Sequence, residues 1–374
     1  MSFGIYIHWP YCLSKCPYCD FYKEVRKDIN QADIIDSYIE DLDFYNSFTS
    51  EREVTSIFFG GGTPSLINLA LIAKLINHIA KRWKIASDIE ISLEANPNSH
   101  YPNMFAQLRE VGINRLSLGV QALNDVDLRF FGRTHTLSQA YLAIDEVLHN
   151  FDNHSIDLIY ARPQQKIEGW VSELKQAASL GLKHISLYLL TIEPNTVFAR
   201  KGIKSLDENM AAEMYSVTED ILFPLGYKKY EVSNYAQSGF ASKHNLLYWT
   251  GKDYIGVGPS AHGRLTSFVG NLEQNTGARN KNKHFYATTH RCQLERISAE
   301  ERAEELLLMG LRLVEGINKV CFMDICGIDI HDFINQNHFQ FLKQEGYIEE
   351  DENYIRVTVK GFPVLDFITL QLVS

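Results

Sequence analysis

Residues 12–19 read Cys12-Leu13-Ser14-Lys15-Cys16-Pro17-Tyr18-Cys19. Three cysteines at this CxxxCxxC spacing can converge from one short loop on a cubane iron–sulfur cluster, a group that normally takes four thiolates. With three supplied, one iron keeps an open position for a small ligand. An iron with a vacant site, fed by an external electron, suits reductive cleavage of S-adenosylmethionine (SAM). Spacing alone leaves two other readings open. One is a zinc site that recruits His8 as its fourth ligand; the other is three unrelated buried thiols.

Around this loop the first two-thirds of the chain alternates strand-like apolar runs with amphipathic segments. Strands are predicted at 3–8, 55–59, 88–94, 115–119, 155–160 and 184–190, and helices at 31–45, 65–83, 101–111, 138–148, 167–180 and 207–222. Six βα units in succession predict a parallel sheet with right-handed crossovers. Six is short of a full eight-stranded barrel. The expected fold is therefore α/β, an incomplete (β/α)6 TIM-like barrel open on one side, where a large substrate can enter. The rhythm stops around Tyr227–Tyr235, which sets expected domains at 1–235 and 236–374. In the second, Ser298 and Glu301 form a capping box ahead of a helix over 299–314. A helix near 331–344 and a hairpin over 347–359, turning through 350–353, complete a small α+β, winged-helix-like domain.

The composition of the 374-residue chain, 45% hydrophobic and 22% charged, is that of an ordinary globular protein. Thirty-six Lys and Arg against 46 Asp and Glu give a net charge of −10, which argues against a phosphate-backbone footprint and hence against nucleic acid as the main partner. No apolar run approaches the roughly 18 residues a transmembrane helix needs. The N-terminus shows no basic segment followed by an apolar one. A cytoplasmic setting with reduced thiols is expected, and a cluster requires it. Cys292, Cys321 and Cys326 are expected to be inert thiols rather than ligands of a second cluster.

In barrels of this kind the chemistry sits at the C-terminal strand ends. The second strand ends in Phe59-Gly60-Gly61-Gly62-Thr63-Pro64, where a ligand can touch bare main chain. The third ends at Glu94, a carboxylate able to accept from an amine or ribose hydroxyls, or an ordinary solvated charge. Beyond the fourth come Gln121, which offers donor and acceptor, and Arg133, which can clamp a carboxylate bidentately or cap a helix. His135 is expected to be structural. Asp157, in the fifth strand, can bind ribose hydroxyls.

The flanks of the cysteine loop, Ile5-Tyr6-Ile7-His8-Trp9-Pro10-Tyr11-Cys12 and Cys19-Asp20-Phe21, resemble the radical-SAM superfamily. Within it the chain is similar to the branch of oxygen-independent coproporphyrinogen III dehydrogenases (HemN) and heme chaperones (HemW), most of all the latter. The resemblance runs over nearly the whole chain and implies the same incomplete barrel. It also implies a [4Fe–4S] cluster on Cys12, Cys16 and Cys19, and SAM contacts from Tyr6, Tyr18, Gly61, Gly62, Thr63 and the Thr191 main chain. Core packing is the other reading of the two tyrosines. The family's Gly-Leu-Pro-Gly-Gln after the fifth strand reads Ala161-Arg162-Pro163-Gln164-Gln165 here, which puts the turn geometry in question. His244-Asn245-Leu246-Leu247-Tyr248-Trp249 is the HNxxYW motif of HemW-like sequences. An imidazole is a standard axial heme ligand, and Tyr248 and Trp249 offer flat faces to a macrocycle. Alternatively, His244 and Tyr248 pin the loop onto the barrel.

Two functions compete. HemN-type enzymes resemble CxxxCxxCxC, whereas this chain has Phe21 at the last position, and Tyr6 already lies on the first strand, with no long segment ahead of it. The expected function is therefore heme binding and transfer to a client, such as a respiratory protein. An electron donor is required if SAM is cleaved. Oxidative decarboxylation of coproporphyrinogen III is the alternative, and a radical-SAM enzyme acting on another substrate, such as a methyltransferase, comes third.

Overall fold

The computed structural model describes residues 2–26, 28–98, 103–268, 283–289 and 293–373. Six parallel strands carry the core: β1 (Ser2–Trp9), β2 (Glu53–Gly61), β3 (Lys84–Ala95), β4 (Arg115–Gln121), β5 (Asn153–Tyr160) and β6 (His184–Leu189). They read as apolar runs because helices cover one face and the interior of the curved sheet the other; six of the seven residues of β4 are buried. The connections hold α1 (Gln31–Thr49), α2 (Leu69–Arg82), α3 (Met104–Glu110), α4 (Asp125–Phe130), α5 (Leu137–Asn150) and α6 (Ile167–Ser179), followed beyond β6 by α7 (Val197–Arg200) and α8 (Glu208–Leu222). The helix predicted from residue 65 begins at Leu69, because Asn68 caps it by accepting from the Ala70 N–H. Residues 101 and 102 of the helix predicted at 101–111 lie outside the described residues.

The βα rhythm ends where the sequence predicts, but the sheet continues. After an antiparallel pair on the β6 side, β7 (Lys228–Glu231) and β8 (Asn234–Ala236), and helix α9 (Lys243–Trp249), the chain returns to the opposite edge. There β9 (Asp253–Val257) pairs parallel with β1, and β10 (Gly263–Phe268), β11 (Lys283–Thr289) and β12 (Gln293–Ile297) extend the sheet antiparallel. Among the described residues the sheet has twelve strands and does not close. The expected open α/β barrel is the observed fold, with a seventh parallel strand from beyond residue 236.

A second core begins at Ala303 and runs to Leu372. It gathers α10 (Ala299–Gly310), α11 (Lys319–Cys326), α12 (Ile330–Phe333), α13 (Gln336–Gln344) and α14 (Leu365–Val373) around a small antiparallel sheet of β13 (Ile317–Asn318), β14 (Ile348–Glu350) and β15 (Tyr354–Val357). The Ser298–Glu301 capping box is present. The single helix predicted at 331–344 is two, because the Asn335 side chain accepts from the His338 N–H and starts a new helix there. Cys321 is exposed and Cys326 buried, its sulfur against the Phe322 carbonyl; Cys292 lies outside the described residues.

Candidate functional site

The cysteine loop leaves β1 at Trp9 and closes on itself: the Glu24 N–H donates to the Pro10 carbonyl at 2.7 Å and the Cys12 N–H to the Glu24 carbonyl at 3.0 Å. The glycine-rich end of β2 then clasps it. Gly62 N–H donates to the Trp9 carbonyl at 2.6 Å, and Thr63 N–H to that of Tyr11 at 3.0 Å. A Cβ at 62 would lie 2.8 Å from the Pro10 carbonyl carbon and the Tyr11 oxygen, so only glycine lets the two backbones approach this closely.

Cys12, Cys16 and Cys19 are free, partly exposed thiols that line one wall of a cavity of about 350 Å³. Among the described residues no three His, Cys, Asp or Glu side chains converge as ligands of a single ion. His8, the candidate fourth zinc ligand, has both ring nitrogens engaged: Nε2 donates to the Tyr22 carbonyl at 3.1 Å and Nδ1 lies 3.0 Å from the Tyr6 hydroxyl. The zinc reading therefore lacks its fourth donor. Separate buried thiols are also not what is seen, since all three face one cavity. The donor set fits a cluster in which each thiolate binds a different iron. Arg133 Nη1 sits 3.5 Å from the Cys16 sulfur, a cation beside one of the three candidate ligands. The Thr63 hydroxyl also hydrogen-bonds the Cys12 sulfur.

The other walls come from successive strand ends. Tyr18, Gly61, Gly62, Thr63, Glu94, Gln121, Arg133, Asp157 and Thr191, all expected in the SAM site, line this cavity together. Glu94 accepts from the Gly61 N–H at 3.1 Å, joining the glycine rim to the third strand. Burial first, then the neighbouring Asp157, pushes its carboxyl up to about 8. Asp157 is also raised by burial, although the Ser117 hydroxyl donates to it at 3.1 Å. Gln121 takes a left-handed φ of 75°, strain of the sort retained at binding sites. Gly119 makes room for its amide, since a Cβ there would lie 2.9 Å from Gln121 Nε2. Arg133 is already held by the Gly119 carbonyl at 2.8 Å and by the Asn96 side-chain oxygen, so a ligand carboxylate would share it.

Three expectations change. Tyr6 is placed outside this cavity: its hydroxyl serves His8, and its ring lines a neighbouring cleft that shares Phe21, Gly61 and Glu94 with the main one. His244 is fully buried on α9, with Nδ1 2.7 Å from the Ser56 hydroxyl and Nε2 2.7 Å from the Tyr248 hydroxyl. Glu90, on β3, accepts from the backbone N–H groups of Lys243 and His244 and fastens the start of the helix. A ring with both nitrogens engaged and no exposed surface pins the loop onto the barrel, and the expected heme-ligand role of His244 gives way to that role. Trp249 likewise stacks on the Arg312 guanidinium, 4.6 Å from its ring, rather than presenting that face to a macrocycle. His135 is buried, and burial, then Arg133, holds it down to about 4.

The sequence reading missed Asn96, Tyr188 and Leu189. Tyr188 and Leu189 expose 42% and 44% of their surface and line the cavity. Asn96 was findable, two residues beyond Glu94 at a strand end. The other two were not, because an apolar strand end reads as core.

The raised Glu94 carboxyl has a testable consequence. In the unfolded chain it ionises near 4.5, in the native one near 8. Between those values the native state holds one more proton, so its stability falls as pH rises through the window. Glu94→Gln has no proton to lose and should show a flatter profile in urea titrations across that range. Identical slopes for the two proteins would refute this account.

A sheet whose strand ends gather a three-cysteine loop, a glycine rim and buried carboxylates around one cavity defines a radical-SAM protein. Residues 6–177 match the model of the radical SAM superfamily, and residues 297–364 that of the HemN C-terminal domain. The chain is 37% identical to the heme chaperone HemW of Buchnera aphidicola, over 96% of this chain and 95% of that one. It is 33% identical to the heme chaperone HemW of Escherichia coli, over 96% and 94%. With the bovine mitochondrial radical S-adenosyl methionine domain-containing protein 1 it shares 32% identity, over 99% and 87%. The solved structure of coproporphyrinogen III oxidase (HemN) from Escherichia coli superposes with a TM-score of 0.79 at 20% identity, over 100% of this chain and 90% of that one, which shows a common fold. The chain belongs to the HemW family of the radical-SAM superfamily.

Proposed function

We propose that this protein is a heme chaperone, which binds heme and hands it to an acceptor protein, on a core that holds SAM and a [4Fe–4S] cluster. The observation that carries the reading is identity of 33–37% to heme chaperones over nearly their whole length. Phe21, where the porphyrinogen-oxidising relatives carry a further cysteine, supports it from the sequence. Cys12, Cys16 and Cys19 hold the cluster, which with SAM supplies one-electron chemistry when bound. Around it Arg133 offsets thiolate charge, the Thr63 hydroxyl donates to Cys12, and Lys23 fixes the Cys19 carbonyl at 2.6 Å. Glu94 and Asp157 would accept from the ammonium and hydroxyls of SAM, and Tyr18, Ile159 and Leu190 would give its pocket apolar walls. If SAM is cleaved, the electron comes from an external donor. No helix among the described residues is long and apolar enough to cross a membrane, and we place the protein in the cytoplasm.

The test is anaerobic: heme titration, then mixing with an apo heme protein and following its absorption as it fills. Binding with transfer is expected. Protoporphyrinogen formation from coproporphyrinogen III, given SAM and a reductant, would overturn the reading. Removing either polar anchor, by Arg133→Ala or Glu94→Ala, should weaken SAM binding roughly tenfold to hundredfold, the size of a hydrogen bond to a charged group. The cluster spectrum of Glu94→Ala should stay intact. Parent-like SAM binding in both variants would remove these residues from the site.

A further inference from the structure

The cleft beside the SAM cavity has a volume of about 340 Å³, within the roughly 300–1,000 Å³ range of small-molecule sites. Tyr6, Tyr22, Tyr248, Tyr254 and Phe21 wall it, and His262 stands in its lining. Phe21 and Tyr22 are 64% and 47% exposed. Two exposed aromatic rings beside three half-buried ones round one opening are what a flat apolar ligand covers. The imidazoles nearby divide sharply. His244 has both nitrogens engaged and no exposed surface, and both nitrogens of His8 are engaged. His262 is exposed, and among the described residues no side chain hydrogen-bonds its ring. It lies on the loop between β9 and β10, whose backbone is tightly set: a Cβ at Gly256 would lie 2.3 Å from the His262 carbonyl oxygen. The ring is thus anchored by its main chain and open at its nitrogens, the condition of a ligand awaiting a metal.

We propose that the cleft is the heme site, with the His262 imidazole as an axial ligand to the iron and the tyrosine rings against the macrocycle. This rests on the reading that the chain binds heme, and assigns that heme to a place separate from the SAM cavity. The wall shared through Phe21, Gly61 and Glu94 sets the two ligands side by side. Heme would cover the exposed Phe21 and Tyr22, and its iron would stand clear of the pinned His244.

The test uses the full chain with reconstituted cluster, titrated anaerobically with hemin. The parent should bind about one equivalent with a Soret band typical of imidazole ligation. His262→Ala, a change at an exposed side chain, should shift that band and lower affinity by at least the roughly tenfold that even an outer-shell loss costs a metal site. Added imidazole should restore the band, and His262→Met should keep heme with the spectrum of a thioether ligand. Tyr22→Ala should weaken binding without moving the band. Parent-like affinity and spectrum in both His262 variants would overturn the proposal and leave heme binding standing. A parent chain that takes up no hemin would overturn both.

Discussion

Replacing any one of Cys12, Cys16 and Cys19 by Ala is expected to abolish the cluster outright. After anaerobic reconstitution the parent should carry iron and sulfide each approaching four per chain, with the broad charge-transfer absorption of a [4Fe–4S] centre. Each single variant should lose that absorption. The effect is all-or-none because, among the described residues, three thiols face the cavity, and His8, the candidate fourth ligand, has both nitrogens committed. Thermal unfolding of the metal-free variants should resemble that of the metal-free parent, since the loop is held by backbone bonds to Glu24, Trp9 and Tyr11 rather than by the thiols. Stoichiometric zinc without sulfide in the parent would sink the assignment.

Arg162→Leu is expected to cost about 3–5 kcal/mol of stability, the usual penalty for stranding a buried charge. Arg162 and Glu173 expose 4% and 5% of their side chains and pair through Nη2, while Asp127 lies 3.3 Å from the Arg162 Nε. Glu173 also accepts from the Leu123 N–H at 2.7 Å. Without the guanidinium that carboxylate is left buried between an apolar residue and one backbone donor. The double variant Arg162→Leu, Glu173→Gln, which removes the charge but keeps an acceptor for Leu123, should recover much of the loss. Urea titrations of the parent, both singles and the double give the coupling directly. Additive losses would show that the pair does not act as a unit.

The same turn shows what a departure from a family pattern costs. Ala161 and Gln164 stand where the family has glycine, and both adopt left-handed backbone, φ 58° and 62°. Left-handed backbone at a residue other than glycine costs about 1–2 kcal/mol each. Arg162 sits between these two positions, and its pairing with Glu173 on α6 ties the turn to that helix.

The cysteine spacing, the βα alternation and the polar residues at strand ends were legible because they are local. Glu94 and Gln121 stand at or beside the ends of their strands and Asp157 within its own, and the three met at one cavity as read. What the linear chain could not carry was pairing over long separations. His244 reads as a ligand beside Tyr248 and Trp249, but its partner Ser56 lies 188 residues away, and the carboxylate that fastens its backbone, Glu90, 154 away. The return of β9 to the edge of β1 is likewise invisible in a stretch where the alternation has ended. That return brings Tyr254 and His262 to the side of Tyr6 and Phe21 and creates the second cleft. By itself the sequence determined the strand ends and the thiols they hold. Whether an imidazole is spent on the fold or left open to a metal was decided only by tertiary structure, because burial and long-range hydrogen bonds are properties of neighbours that sequence distance conceals.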